Sequence, residues 1–277
     1  MLLAQISDLH IKRPGALAYR RVDTAAFLAR CVARLNALDP RPDAVLVTGD
    51  LVDHGAPEEY EHLKSLLAPL EIPAYLMVGN HDARDALRHV FSERAELAAG
   101  GDFVNYTADI GPVRLIALDS MVPGASGGTL CDARLAWLAE ELQATAASQQ
   151  PVVIGLHHPP FVSGIGHMDA ARLDPRASAK FAALLAQYPN VERVICGHVH
   201  RTMFVRFGGT IATAAPSPAH QVALDLRDDA PSAFRMEPPG FLLHRYTPEE
   251  GFVTHHAYVD EADGPYPFYE PEGKLID

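Results

Sequence analysis

Apolar residues recur along the chain in blocks, and two spacings can be read in them. The runs "LLAQIS" (residues 2–7) and "DAVLVTG" (residues 43–49) are short and continuously apolar, whereas "VDTAAFLARCVARLNAL" (residues 22–38) places its apolar side chains three and four apart. Continuous runs of about 4–8 residues predict buried strands, and the three-four spacing predicts a helix capped by Asp23 or Thr24. The chain therefore opens β-α-β. The alternation continues with helices predicted near 57–67, 133–142 and 175–188, and strands near 74–78, 113–118, 152–156 and 191–196. Beyond Thr202 the pattern changes to "TMFVRFGGTIATAA", a hairpin with Gly208-Gly209 at its turn, followed by the strand patterns "GFLLHRYT" and "GFVTHHAYV". The second half is expected to end as antiparallel β, with loops over 227–239 and 260–277.

Composition narrows the class. A chain of 277 residues with 48% hydrophobic content buries a sizeable core. No run reaches the ~18 apolar residues of a membrane helix. The N-terminal "MLLAQISDLH" meets charged residues without a basic region or cleavage site, so the expected compartment is cytoplasmic. Cys31, Cys131 and Cys196 are odd in number and unrelated in spacing, which predicts buried thiols rather than a disulfide framework. A formal charge of -12 disfavours a nucleic-acid polymer as partner. Bound divalent cations would reverse that sign locally.

Candidate chemistry then changes the picture. Five apolar strands each end in side chains of metal-binding type: Asp8 and His10 in "SDLH", Asp50 in "TGD", Asn80 and His81 in "GNHD", His157 and His158 in "LHHPP", and His198 and His200 in "GHVH". Loops at strand carboxyl ends converge on one edge of an α/β sheet. Side chains at i and i+2 of an extended segment share a face, so Asp8 with His10, and His198 with His200, are expected to reach inward while Leu9 and Val199 face away. Carboxylate oxygen, amide oxygen and imidazole nitrogen suit Mn, Fe, Co or Zn. Seven such ligands exceed one ion and fit two, about 3.5–4 Å apart, sharing a carboxylate. Alone, Asp50 reads equally as a helix cap, and a single histidine as a structural residue. His158 reads as a supporting residue, His167 and Asp169 as parts of a solvated loop or, alternatively, as lining of the substrate entrance, and His54, His62, His89, His244, His255 and His256 as surface or core.

The five motifs, with "RPDAVLVTGDLVDHGAPEEY" and "AHQV", resemble the signature of calcineurin-like metallophosphoesterases. The closer resemblance is to the bacterial cyclic-nucleotide and glycerophosphodiester phosphodiesterase branch, over about residues 1–225. It implies an α/β fold, a four-layer αββα sandwich with a β-rich C-terminal part, over 1–259, followed by a tail over 260–277. It also implies two divalent ions, one held by Asp8, His10 and His200, the other by Asn80, His157 and His198, with Asp50 bridging and a metal-bound hydroxide as nucleophile. His81 is implied to face the substrate phosphate and, together with His220 in "SPAHQV", where the glycerophosphodiesterase type has histidine, is expected to stabilise or protonate the departing alkoxide. The expected reaction is hydrolysis of small, glycerophosphodiester-like phosphodiesters, with 3′,5′-cyclic AMP as the alternative substrate. A non-catalytic scaffold would show histidines missing from the last motif, and none is missing. The net charge disfavours a nuclease, while a phosphomonoesterase stays open. Tyr266, Phe268 and Tyr269 in the tail, with the habits of the branch, point to a homo-oligomer.

Overall fold

The computed structural model describes residues 1–276. The first half contains β1 (Leu2–Ile6), α1 (Thr24–Asn36), β2 (Ala44–Val47), α2 (Pro57–Leu67), β3 (Ala74–Leu76), α3 (Arg84–Val90), α4 (Glu96–Ala99), β4 (Tyr106–Ile110), β5 (Val113–Leu118) and α5 (Asp132–Ala146). The second contains β6 (Val152–Leu156), α6 (Gly166–Asp169), α7 (Pro175–Leu185), β7 (Val191–Cys196), β8 (Met203–Phe207), β9 (Thr210–Ala214), β10 (Gln221–Val222), β11 (Phe234–Arg235), β12 (Gly240–Thr247) and β13 (Gly251–Tyr258). Local signals set the boundaries of the long helices. Asp23 accepts a hydrogen bond from the Ala26 amide at the start of α1, and Asp174 caps α7 ahead of Pro175.

The strands form two sheets, ordered β13-β12-β1-β2-β3 and β4-β5-β6-β7-β9-β8, plus a β10-β11 ribbon. Their central strands pair in parallel. Continuous apolar runs suit such strands because both faces are covered. Along β5, β6 and β7, Ile116, Leu118, Ile154, Val194 and Cys196 pack with Leu138, Leu142 and Phe181 of α5 and α7. The alternate residues Leu115, Ala117, Val153 and Ile195 join the core built by β1, β2 and α1. The result is helix, sheet, sheet, helix. A Cβ added at Gly155 would stand 2.8 Å from Met77 Sδ and 3.2 Å from Leu46 Cδ2, so the two sheets approach there more closely than a side chain permits.

Four features depart from the sequence expectation. The strand β4 (YTADI) mixes Thr and Asp with its apolar residues, and α3 and α4 are short, so no long periodic run marks them. Within segments read as loops, β11 pairs with β10 and α6 makes a single turn. The last strands form the expected antiparallel pairs, β8 with β9 and β12 with β13, but these attach to the two existing sheets. β9 joins β7 in parallel with β8 outside it, whereas β12 and β13 return to the first sheet antiparallel to β1. Parallel sheets commonly accept an antiparallel edge in this way. Among the described residues no helix is long and apolar enough to cross a membrane, and all three cysteines are free.

His244 of β12 is buried, with Nε2 3.0 Å from Gln5 Oε1 and Nδ1 2.9 Å from Thr254 Oγ1. Burial, helped by nearby Arg193, holds its imidazole down at about 3. The unfolded chain takes up this proton near pH 6.5, the folded chain only near 3. The contribution to stability is thus full above the unfolded value and drains away as the pH falls from there toward the folded value. Between pH 7 and 5 the loss is ~2 kcal/mol, from about 1.4 kcal/mol per unit. A His244→Gln variant cannot bind that proton, and its unfolding free energy in urea is expected to fall by ~2 kcal/mol less over the same interval. Equal losses in the two proteins would contradict this origin.

Candidate metal centre

All five motif loops leave the carboxyl ends of strands, from β1, β2 and β3 of one sheet and β6 and β7 of the other. Backbone hydrogen bonds join them. Asp8 N donates to Gly49 O at 3.0 Å, His10 N to Asp50 O at 2.9 Å, and Gly197 N to His157 O at 3.0 Å. The expected extended i, i+2 geometry is not what aims the side chains. Asp8, His10, Asp50, His198 and His200 all have positive φ, between 46° and 71°. Each such residue costs about 1–3 kcal/mol, strain that persists where surrounding structure imposes it and clusters at functional sites. Tight left-handed turns, with Leu9 and Val199 buried as anchors, turn the polar side chains to one point. Gly79 fits the same crowding, because a Cβ there would collide with Asp50 and with His157.

At that point donors face one another. His10 Nε2 lies 3.2 Å from His200 Nε2, His200 Nε2 3.3 Å from Asp8 Oδ1, and His157 Nε2 3.2 Å from Asn80 Oδ1. Asp50 Oδ2 stands between the two groups, 3.4 Å from His157 Nε2 and 3.7 Å from His10 Nε2. The remote ring nitrogens are already committed. His157 Nδ1 is 2.8 Å from Thr48 O, His200 Nδ1 3.0 Å from His220 O, and His10 Nδ1 makes a 3.2 Å ion-pair approach to Asp53 Oδ1 that is off hydrogen-bond alignment. With protons on those nitrogens, the inward Nε2 atoms present lone pairs to one another and to carboxylates. His198 Nε2 is buried with no hydrogen-bond partner. Acceptors converging on acceptors among side chains this buried call for a cation, metal or proton, between them. Protons can take the place of metal on the inward nitrogens: against burial, Asp50 raises His157 to about 9 and Asp8 raises His200, and these charged rings then hold the Asp8 carboxyl at about 2 and Asp50 well below its usual range.

His81 is placed differently from Asn80. Its amide donates to Asp50 Oδ1 at 2.9 Å and its Nδ1 bonds Asp53 O at 2.8 Å, while the side chain keeps 35% exposure at the mouth. Burial opposes protonation of its ring, but Asp50 and Asp53 outweigh it and raise the pKa. His158 has both nitrogens engaged, Nδ1 with Ser120 Oγ at 2.8 Å and Nε2 with Ser126 O at 3.2 Å, so it packs edge-on against His157 without a nitrogen to spare. His220 is buried, and its ring meets those of Tyr19, Phe234 and His200. Burial, then His200 and His10, hold it down at about 2. Tyr19, His81, His167, His220 and Phe234 help to line a cleft of about 590 Å³ over the donors. His167 therefore faces the cleft, whereas Asp169 instead accepts from Ser163 and Gly164 and pins its own loop.

Two further residues of the site have roles that the sequence pattern does not reveal. Asp82 is buried and its carboxylate accepts from the amides of Gly79, Leu51 and Val52 and from Tyr60 Oη, which ties the "GNHD" loop to the "TGD" loop. Asp53 accepts from Lys12 Nζ at 2.6 Å beside His10 and His81. Their only signal was position, two residues after Asn80 and three after Asp50.

A family model described as calcineurin-like phosphoesterase matches residues 1–202. The chain belongs to that family. Similarity to individual proteins extends further. A probable glycerophosphodiester phosphodiesterase, GpdQ, of Arcobacter nitrofigilis is 42% identical over 277 residues, covering 100% of both chains. A glycerophosphodiester phosphodiesterase GpdQ of Enterobacter lignolyticus is 33% identical over 98% of this chain and 95% of its own. The 3′,5′-cyclic adenosine monophosphate phosphodiesterase CpdA of Pseudomonas aeruginosa is 32% identical over 80% of this chain and 78% of its own. Among solved structures, a dimetal phosphatase from Danio rerio superposes with a TM-score of 0.64 at 15% identity, covering 94% of this chain and 99% of that one, which supports the fold alone. Family membership and the buried clusters Asp8, His10, His200 and Asp8, Asp50, His157 together indicate that this calcineurin-like phosphoesterase uses divalent metal.

Proposed function

We propose that the protein hydrolyses small phosphodiesters of the glycerophosphodiester kind at a binuclear centre. In this reading Asp8, His10 and His200 hold one divalent transition-metal ion, Asn80, His157 and His198 the other, and Asp50 bridges; Mn, Fe, Co and Zn all suit the donors. The observation that carries it is Asp50 Oδ2 standing between two inward-facing imidazole groups. When bound, the metals supply an activated water and neutralise charge on the phosphoryl oxygens. The remaining work falls to the chain. His81, fixed through Nδ1, turns its other nitrogen to the cleft and donates to a phosphoryl oxygen when protonated. His220, buried with its ring packed among Tyr19, Phe234 and His200, acts as a wall of the cleft rather than as a proton donor to the leaving alkoxide.

Full-length similarity to glycerophosphodiester phosphodiesterases, against partial similarity to a cyclic-AMP phosphodiesterase, favours the unstrained diester as substrate. The test is kcat/KM on purified, metal-reconstituted protein for a glycerophosphodiester, cyclic AMP and a phosphomonoester, with values expected to fall in that order. Cyclic AMP at the top would assign the protein to the other branch. His220→Ala is expected to slow alkyl and nitrophenyl diesters by similar factors, because a wall acts on both. A loss confined to alkyl diesters would restore the proton-donor role. We also infer self-association through the C-terminal part, where Tyr266, Phe268 and Tyr269 are 71%, 80% and 59% exposed. Light scattering should then give a mass above the 30.0 kDa of one chain.

A further inference from the structure

On the side of the centre away from the cleft, one buried side chain touches two of the loops that carry proposed ligands. Gln5 of β1 is fully buried. Its Nε2 donates to Thr48 Oγ1 at 3.0 Å and to Cys196 O at 2.9 Å. Thr48 leads into Gly49-Asp50 on the first sheet, and Cys196 leads into Gly197-His198 on the second. Both contacts precede left-handed turns, with Asp50 at φ 49° and His198 at φ 71°, where a small peptide rotation re-aims the side chain. The Thr48 carbonyl also accepts from His157 Nδ1, which brings a third loop into the arrangement.

The direction of this amide is fixed by its neighbours. Were its oxygen and nitrogen exchanged, the oxygen would face the Cys196 carbonyl, acceptor against acceptor. The nitrogen must face Cys196, leaving Oε1 for His244 Nε2 at 3.0 Å. His244 then donates from Nε2 and accepts from Thr254 Oγ1 on Nδ1, which is the complement of a neutral imidazole. From Thr254 through His244 and Gln5 to Thr48 and Cys196, each donor meets an acceptor.

We propose that Gln5, oriented by His244, is a positioning residue that sets the spacing of the Asp50 and His198 loops across the seam between the two sheets. The proposal rests on the reading that Asp50, His157 and His198 hold metal. Ligand constellations need placement within about 0.5 Å, and outer hydrogen-bond partners are worth about 10–100-fold in metal affinity.

The test is Mn²⁺ affinity of the full chain by competition with a chelator, alongside the melting temperature of the metal-free protein. Gln5→Met keeps the length and removes both donated bonds, and is expected to weaken Mn²⁺ binding by about 10–100-fold. His244→Leu should weaken it in the same direction, and His244→Gln, which keeps an N–H at the Nε2 position, should restore it. A purely structural role would lower the metal-free melting temperature and leave the affinity unmoved. If Gln5→Met does not fold, the comparison of His244→Leu with His244→Gln decides. Wild-type affinity in folded Gln5→Met, or equal affinities in the two His244 variants, overturns the proposal. A wild-type chain that binds no Mn²⁺ overturns the metal reading beneath it.

Discussion

An Asp50→Ala enzyme is expected to lose diesterase turnover by about 10³-fold or more and to retain at most one metal equivalent. The size follows from the several kcal/mol that metal charge supplies in a phosphoryl transition state, at about 1.4 kcal/mol per decade of rate. Structure gives the reason this residue matters most. Its Oδ2 lies between His157 and His10, so no neighbour can replace its charge for both groups, and its Oδ1 also receives the His81 amide. Asp50→Asn keeps the shape and an acceptor for His81 but removes the charge. It should therefore fall on the side of the alanine variant rather than the wild type. Elemental analysis showing two equivalents in folded Asp50→Ala would remove the bridging role.

The neighbours Asn80 and His81 should part company when each is replaced. His81→Ala is expected to keep both metals and lose about 10²–10³-fold in kcat, the usual worth of one donor to a charge-bearing transition-state oxygen. Asn80→Ala is expected to weaken one metal position, with activity partly recovered at high metal concentration. The difference lies in placement. Asn80 Oδ1 points at His157 inside the cluster, whereas His81 is held by Asp53 O at the mouth. Loss of a metal equivalent from His81→Ala would reverse this division.

Much of the arrangement was legible because donor residues stood behind apolar strands whose carboxyl ends share an edge. Asp8, His10, Asp50, Asn80, His157, His198 and His200 do converge. The means of convergence was not legible, since left-handed backbone at Asp8, His10, His198 and His200 is imposed by packing and by bonds between loops, not by local spacing. Asp53 and Asp82 carry no comparable sequence signal, for a related reason. Their carboxylates answer a lysine, amide groups and a tyrosine that only the folded chain brings near. His220 shows the reverse case, a residue located by motif whose ionisation is set by rings it meets only in three dimensions. Among the strands, the two residues of β11 carry no period, and the patterns of β12 and β13 mark strands without any sign that they extend the first sheet.

The central claim is that one chain assembles a two-metal centre that performs diester hydrolysis. Metal content and turnover of a glycerophosphodiester, measured on the same sample through stepwise chelation and reloading with Mn²⁺, test it most directly. The account predicts two equivalents per chain in the active protein, with activity lost on chelation and regained on reloading. Full activity at no more than one equivalent would contradict it.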